Sequence, residues 1–182
     1  MTENLPFISV IMPVRDEAGS IHETLASLAS QDYPKERTEI IIADGMSADG
    51  TRAVIDNFAL SHPQVNLQVI NNPNRIVPSG LNRAIRAAHG DIILRVDGHT
   101  TLPKDYLRAC TETLVNTRVE NVGGRMLAVG RTPFGEAAAA AASSPFGVGG
   151  AYFHYGSQPK WLIRCILAHG QKKSSALMDC SM

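Results

Sequence analysis

Cysteine is scarce in this chain, and its three members (Cys110, Cys165 and Cys180) stand far apart. No CxxC pair or disulfide framework can be drawn from them, so a reducing cytoplasm is the default compartment. Net charge is also missing, since 17 Lys and Arg balance 17 Asp and Glu. That removes the bulk electrostatic case for nucleic acid or an anionic membrane surface. No run reaches the ~18 consecutive apolar residues of a membrane-spanning helix. Residues Met1 to Pro6 lack the basic region and apolar stretch of a signal peptide. Glycine-rich phosphate loops are absent too. Neither GxGxxG nor GxxxxGK[ST] occurs, which argues against a dinucleotide-dependent dehydrogenase or a P-loop ATPase.

What is present fits a globular α/β chain. The 182 residues are 44% hydrophobic and 19% charged, enough for one domain, or one domain with an attached fragment. Apolar, β-branched runs recur at Ile8–Val14, Glu39–Ala43, Val65–Ile70 and Asp91–Val96, and each predicts a strand. Between them lie helical patterns. Ser20 can cap a helix carrying Ile21, Leu25 and Leu28, and Asp49 or Thr51 can start one carrying Val54, Ile55 and Phe58. Pro78 suits the first turn of a helix through Ala88, and Pro103 opens another to about Thr117. Val122–Val129 reads as a fifth strand, and Glu136–Ala142 as a helix by propensity. Strand and helix alternate four times, the pattern of βα units in a mostly parallel sheet with helices on both faces.

Polar clusters follow three of these strands: Arg15-Asp16-Glu17, Asp44 to Asp49, and Asp97-Gly98-His99. In a parallel sheet all three reach the carboxyl rim, where ligands bind in open α/β folds. Asp97 and His99, with only glycine between them, can both reach one divalent cation; a plain Asp-Gly turn is the alternative. Carboxylates repel a bare diphosphate, so a nucleotide at this rim calls for a bridging cation, Mg²⁺ or Mn²⁺, with histidine leaning toward Mn²⁺. Asp44 could accept a hydrogen bond from a base or a ribose hydroxyl. His22, His62 and His89 stand alone and read as surface residues, and Gly147–Gly150 as a loop.

Three segments make a resemblance specific. Ser9 to Glu17, Ile40 to Thr51 and Leu94 to His99 are similar to family 2 glycosyltransferases. Asn72 to Pro78, with Asn82, adds likeness to the succinoglycan-type glucosyltransferase branch. The resemblance covers roughly residues 7–156. It implies a GT-A fold that binds a nucleotide sugar, commonly a UDP-sugar such as UDP-glucose, and transfers the hexose with inversion to a saccharide or lipid-linked acceptor in polysaccharide synthesis. By position it places Pro13, Val14 and Glu17 in the first nucleotide-binding segment, Asp44 against the base, and Asp49 in the same loop. Asp97 matches the first acid of the metal-binding DxD, while His99 replaces the second. Arg75 and Asn82 fall in a stretch that often faces the nucleotide; Arg75 could equally be a solvated loop arginine. The implied setting is the cytoplasm or the inner face of a membrane. A nucleotidyltransferase and a non-catalytic nucleotide-sugar-binding remnant are the rival readings.

The pattern breaks after residue 156. An inverting transferase needs a general base, which the resemblance implies as an Asp beyond the DxD, usually in a Glu-Asp pair. Beyond Gly156 only Asp179 is acidic. Ser157–Met182 holds four Lys or Arg against that one Asp, a net +3 that leaves 1–156 at −3. A coding sequence written for Leu162–Ser175 and read one base upstream can give a continuation similar to the family's own. The expectation is therefore a domain over 1–156 and an atypical, poorly ordered tail over 157–182 from a frameshifted, truncated transferase, with an intact short protein as the alternative.

Overall fold

In the computed structural model, residues 5–117, 119, 121–123, 128–130, 132–142, 144 and the strand 165–167 are described. They form strands β1 (Ile8–Val14), β2 (Thr38–Asp44), β3 (Leu67–Asn71), β4 (Ile92–Arg95), β5 (Asn121–Val122) and β6 (Cys165–Leu167). The helices are α1 (Ile21–Ala29), α2 (Thr51–Ser61), α3 (Val77–Ala87), α4 (Tyr106–Thr117) and α5 (Pro133–Ala142). The sheet order is β3-β2-β1-β4-β6-β5. The first four strands run parallel, and β6 pairs antiparallel with both β4 and β5.

Both sheet faces are covered, as expected from runs apolar on both sides. Along β1 the even positions Val10, Met12 and Val14 join Ile21 and Leu25 of α1, Phe58 of α2 and Leu107 of α4 in one core. The odd position Ile11 joins Ile41, Ile93 and the α3 residues Leu81, Ala84 and Ile85 in the other. A period of two along the strand thus divides the helices between faces. Pro13 lies inside β1 and does not end it. The C=O of Ile11 accepts from Val96 N–H at 3.0 Å, and the β1–β4 register stops at Ile11 and Arg95. Two residues on, the donor that proline lacks would point past the end of that ladder.

Local differences have local causes. The third strand begins at Leu67, because Val65 N–H turns back to the His62 carbonyl at 2.9 Å. Ser20 occupies the cap position of α1, but its hydroxyl turns to the Gly98 carbonyl at 3.2 Å and makes no cap bond. The fifth strand is short among the described residues, and part of the predicted Val122–Val129 lies outside them. Most of the 157–182 segment also lies outside, while Cys165–Leu167 within it is a strand of the same sheet.

Candidate functional site

The parallel register sets Val14 beside Asp44, so the loops after β1 and β2 leave the sheet side by side. Hydrogen bonds then weld them together. Asp16 N–H donates to Ser47 Oγ at 3.0 Å, and Ala48 N–H returns a bond to Asp16 Oδ1 at 2.8 Å. Glu17 N–H donates to Thr51 Oγ1 at 2.8 Å, and Ala18 N–H to Asp49 Oδ2 at 2.9 Å. Asp49 also accepts from the N–H and hydroxyl of Thr51, closing the entry to α2. Its carboxyl is held below the ordinary range by the Thr51 hydroxyl first and by backbone donors. Asp49 is therefore a clamp between two rim loops. Asp16, Met46 and Arg75, in the loops after β1, β2 and β3, all adopt left-handed backbone with φ of 54°, 60° and 58°. Non-glycine residues enter that region at a cost, and such positions gather where surrounding structure dictates the backbone.

Asp44 is 4% exposed and closes a turn over Gly45 and Met46. Its Oδ1 accepts from Ser47 N–H at 3.2 Å and Ser47 Oγ at 2.6 Å. Its Oδ2 accepts from Arg52 Nη1 at 3.0 Å, and Arg52 Nη2 reaches Asn71 Oδ1 at 3.2 Å. A carboxylate offers about four lone-pair sites, so room remains for one further donor.

The loop after β4 joins the same rim through Gly98, whose carbonyl accepts from Thr24 Oγ1 at 2.9 Å. A Cβ at this glycine would stand 2.0 Å from Glu17 Oε2. With Glu17 in this position, the two loops close here over a residue without a Cβ. Glu17 Oε2 is buried with no partner, while Oε1 lies 3.5 Å from His99 Nδ1. Burial pushes the Glu17 carboxyl up, the attraction of His99 pulls against that, and the nearby Asp97 and Asp49 add to the rise. Asp97 is engaged by Arg95, whose Nε and Nη2 both contact Oδ1, at 3.0 and 2.8 Å. Neither contact uses Oδ2.

Glu17, Asp44, Asp49, Asp97 and His99 thus share one rim with Arg52 and Arg95, two residues that sequence reasoning missed. Each was open to detection: Arg95 alternates with Asp97 around a strand end, and Arg52 opens the helix after the Asp44 turn. Asp44 pairs with Arg52 and Asp97 with Arg95. Pro13 and Val14 are buried, with Val14 packed beneath Gly98 and not lining an open surface. Arg75 is exposed and Asn82 half-buried in α3. Among the described residues, no hydrogen bond or ion pair joins either side chain to Asp44, Glu17 or Asp97. Nor does any group of three His, Cys, Asp and Glu among them form a ready-made metal cage. His89, read as a surface residue, bonds Glu39 at the opposite edge of the sheet through both its N–H and its ring.

The family model for glycosyl transferase family 2 matches residues 9–164. The chain belongs to that family. It is 32% identical over 154 residues to the succinoglycan biosynthesis protein ExoA of Rhizobium meliloti, covering 84% of this chain and 46% of that protein. It is also 32% identical over 157 residues to the Methanococcus voltae dolichyl N-acetyl-alpha-D-glucosaminyl phosphate 3-beta-D-2,3-diacetamido-2,3-dideoxy-beta-D-glucuronosyltransferase, covering 84% of this chain and 49% of that one. The chain therefore spans about half the length of these curated relatives. Among solved structures, a mannosyltransferase of Pyrobaculum calidifontis in complex with GDP-Man and Mn²⁺ superposes with a TM-score of 0.64 at 30% identity, covering 71% of this chain and 37% of that one. Staphylococcus aureus TarS residues 1–349 in complex with UDP gives 0.61 at 25% identity, covering 69% and 37%. The architecture is that of GT-A glycosyltransferases, and no helix among the described residues is long and apolar enough to cross a membrane.

Proposed function

We propose that this chain is the donor-binding part of an inverting family 2 glycosyltransferase, taking UDP-glucose and serving transfer of its hexose to a saccharide or lipid-linked acceptor in polysaccharide synthesis. The proposed setting is the cytoplasm, at the inner face of a membrane where such acceptors would be met. What supports the reading is one observation: loops from three parallel strands bring Asp44, Glu17, Asp97 and His99 onto a single rim in a chain of this family.

In this reading Asp44 uses its remaining acceptor site for an N–H of the base, held in position by Ser47 and Arg52. Asp97 and His99 suit a divalent cation, Mg²⁺ or Mn²⁺. Asp97 keeps Oδ2 out of its Arg95 contacts, and His99, with Nδ1 toward Glu17, keeps Nε2 on a ring that is 68% exposed. A carboxylate with an imidazole fits Mn²⁺ somewhat better than Mg²⁺, and phosphate oxygens and water fill the other positions in sites of this class. When bound, the cation would offset the diphosphate charge and act as a Lewis acid toward the leaving nucleoside diphosphate. Pro13, Val14, Asp49, Arg75 and Asn82 complete the proposed nucleotide-binding set, the first three by shaping the rim loops.

Titration calorimetry with UDP and with GDP, each with Mn²⁺ or with EDTA, tests the reading. UDP should bind more tightly than GDP and more tightly with Mn²⁺, and Asp97→Ala should remove the metal-dependent part. Equal affinity in both buffers would overturn the metal assignment, and a preference for GDP would overturn the uridine donor.

A further inference from the structure

We infer that Arg95 is a positioning residue that guards Asp97 in the free protein and moves to the donor's diphosphate on binding, coupling metal and nucleotide to one another. The inference rests on the metal reading of Asp97 above. It starts from the pleat of β4. Arg95 and Asp97 flank Val96, which is buried and whose N–H is tied to the Ile11 carbonyl at 3.0 Å. Residues two apart along an extended chain share a side, so both polar side chains emerge on the same side of the rim. There the guanidinium lays Nε and Nη2 on the single oxygen Oδ1.

That geometry has two consequences. A guanidinium within hydrogen-bond distance of a carboxylate repels a divalent cation approaching the same group, so Asp97 alone is a poor metal site while Arg95 stays in place. The contact is also suboptimal for arginine. Its fork suits two acceptor oxygens, as in a paired carboxylate or phosphate, and here both arms share one. Arg95 is 32% exposed at its side chain, so its guanidinium stands within reach of a ligand arriving at the rim. A diphosphate at the rim offers the fork several oxygens, and the transfer of Arg95 to them releases Asp97 just when the phosphates need a cation. Metal and nucleotide then strengthen each other's binding by the same factor, as linkage requires.

The test is Mn²⁺ binding to the full chain, followed by electron paramagnetic resonance of free Mn²⁺, without nucleotide and at fixed UDP. Wild type, Arg95→Met, Arg95→Lys and Asp97→Ala are compared. Holding UDP constant cancels the binding of Mn²⁺ to UDP itself. Arg95→Met should bind Mn²⁺ alone about tenfold more tightly than wild type, within the usual range of coupling factors, and should gain less from UDP. Arg95→Lys, which keeps the charge without the fork, should stay near wild type for Mn²⁺ alone, and it serves as the folded control should the methionine variant unfold. In that case a Lys variant that keeps the full gain from UDP overturns the role of the fork, and a reduced gain supports it. If Asp97→Ala abolishes the site but Arg95→Met leaves the affinity for Mn²⁺ alone unchanged, the guard is overturned and the metal site stands. If Asp97→Ala changes nothing, the metal site and the guard fall together.

Discussion

Arg52 and Asp44 form an ion pair that is open on one side and closed on the other. The Arg52 side chain is 40% exposed, that of Asp44 only 6%, and Nη1 to Oδ2 is 3.0 Å. A nearly buried carboxylate without such a partner would be costly, so the pair helps hold Asp44 in place at the head of a turn. It also separates two roles that a single alanine substitution would confuse.

Asp44→Ala should weaken UDP binding by about 1.5–3 kcal/mol, the worth of a hydrogen bond to a charged group. It should also lower stability through the lost Ser47 bonds. Arg52→Met should cost about 1 kcal/mol of stability, because one partner is partly solvated, and should leave most of the UDP affinity. Urea denaturation paired with UDP titration separates the two. Unchanged UDP affinity in a folded Asp44→Ala protein would reduce Asp44 to a turn former.

Gly98 sets up a second test. A methyl group there meets Glu17 Oε2 at 2.0 Å and Val14 Cγ1 at 2.9 Å. Gly98→Ala should therefore destabilise by roughly 1–3 kcal/mol, the usual penalty of overpacking. Shortening Glu17 removes the nearer obstacle, so Glu17→Ala should rescue part of that loss in the double variant. A denaturation cycle over the four proteins reads the coupling. Strict additivity would mean that the two loops do not close on one another here.

The sheet and its rim were legible because they depend on periodicity. A short β-branched run such as Ile40 to Ala43, bounded by turn residues, reads as a strand buried on both sides, and parallel strands deliver their following loops to one edge. What could not be read locally came from distant partners. Pro103 reads as the first residue of a helix, yet α4 starts at Tyr106. There Gln31, from the other side of the sequence, donates to the Pro103 carbonyl at 2.7 Å and accepts from Leu107 N–H at 3.0 Å. Asp44 and Asp97 were identified from strand ends alone. Arg52 was not, because its pairing needs the turn of α2, and Arg95 was read only as part of a strand. Asp49 was grouped with ligand residues from its loop alone, and its bonds to Ala18 and Thr51, which tie two rim loops together, could not be read locally.

Acid stability should hinge on the opposite edge of the sheet. Glu39 is 7% exposed and accepts from Ser9 Oγ, His89 N–H and the His89 ring. Burial pushes its carboxyl up, but the hydrogen bonds from Ser9 and His89 together outweigh burial and hold it below its ordinary value of 4.5. A carboxyl depressed in the folded state binds its proton more weakly there than in the unfolded chain. Its stabilisation is complete above the unfolded value and is lost as pH falls from about 4.5 through the folded value. Glu39→Gln should cost roughly 1–3 kcal/mol at neutral pH and flatten the acid limb of a stability–pH curve. An equally steep limb in the variant would assign acid sensitivity to other carboxylates.

His99→Asp restores the second acid of the DxD pattern and tests why histidine stands there. Imidazole nitrogen favours Mn²⁺, whereas a carboxylate oxygen serves Mg²⁺ as well. The concentration of Mg²⁺ needed to support UDP binding should therefore fall relative to that of Mn²⁺. The substitution also has a cost in the free protein. His99 Nδ1 lies 3.5 Å from Glu17 Oε1 and opposes the rise of that carboxyl, which Asp97 already promotes. A third acid in place of the imidazole replaces attraction with repulsion, so the metal-free variant should lose roughly 0.5–1 kcal/mol, limited by the solvent exposure of residue 99. Saturating metal and UDP should recover that loss, since the cation screens the acids from one another. Half-saturation titrations with each metal, together with melting curves with and without UDP and metal, give both readouts. An unchanged ratio of Mg²⁺ to Mn²⁺ would remove His99 from the ligand set and leave it as the partner of Glu17 alone.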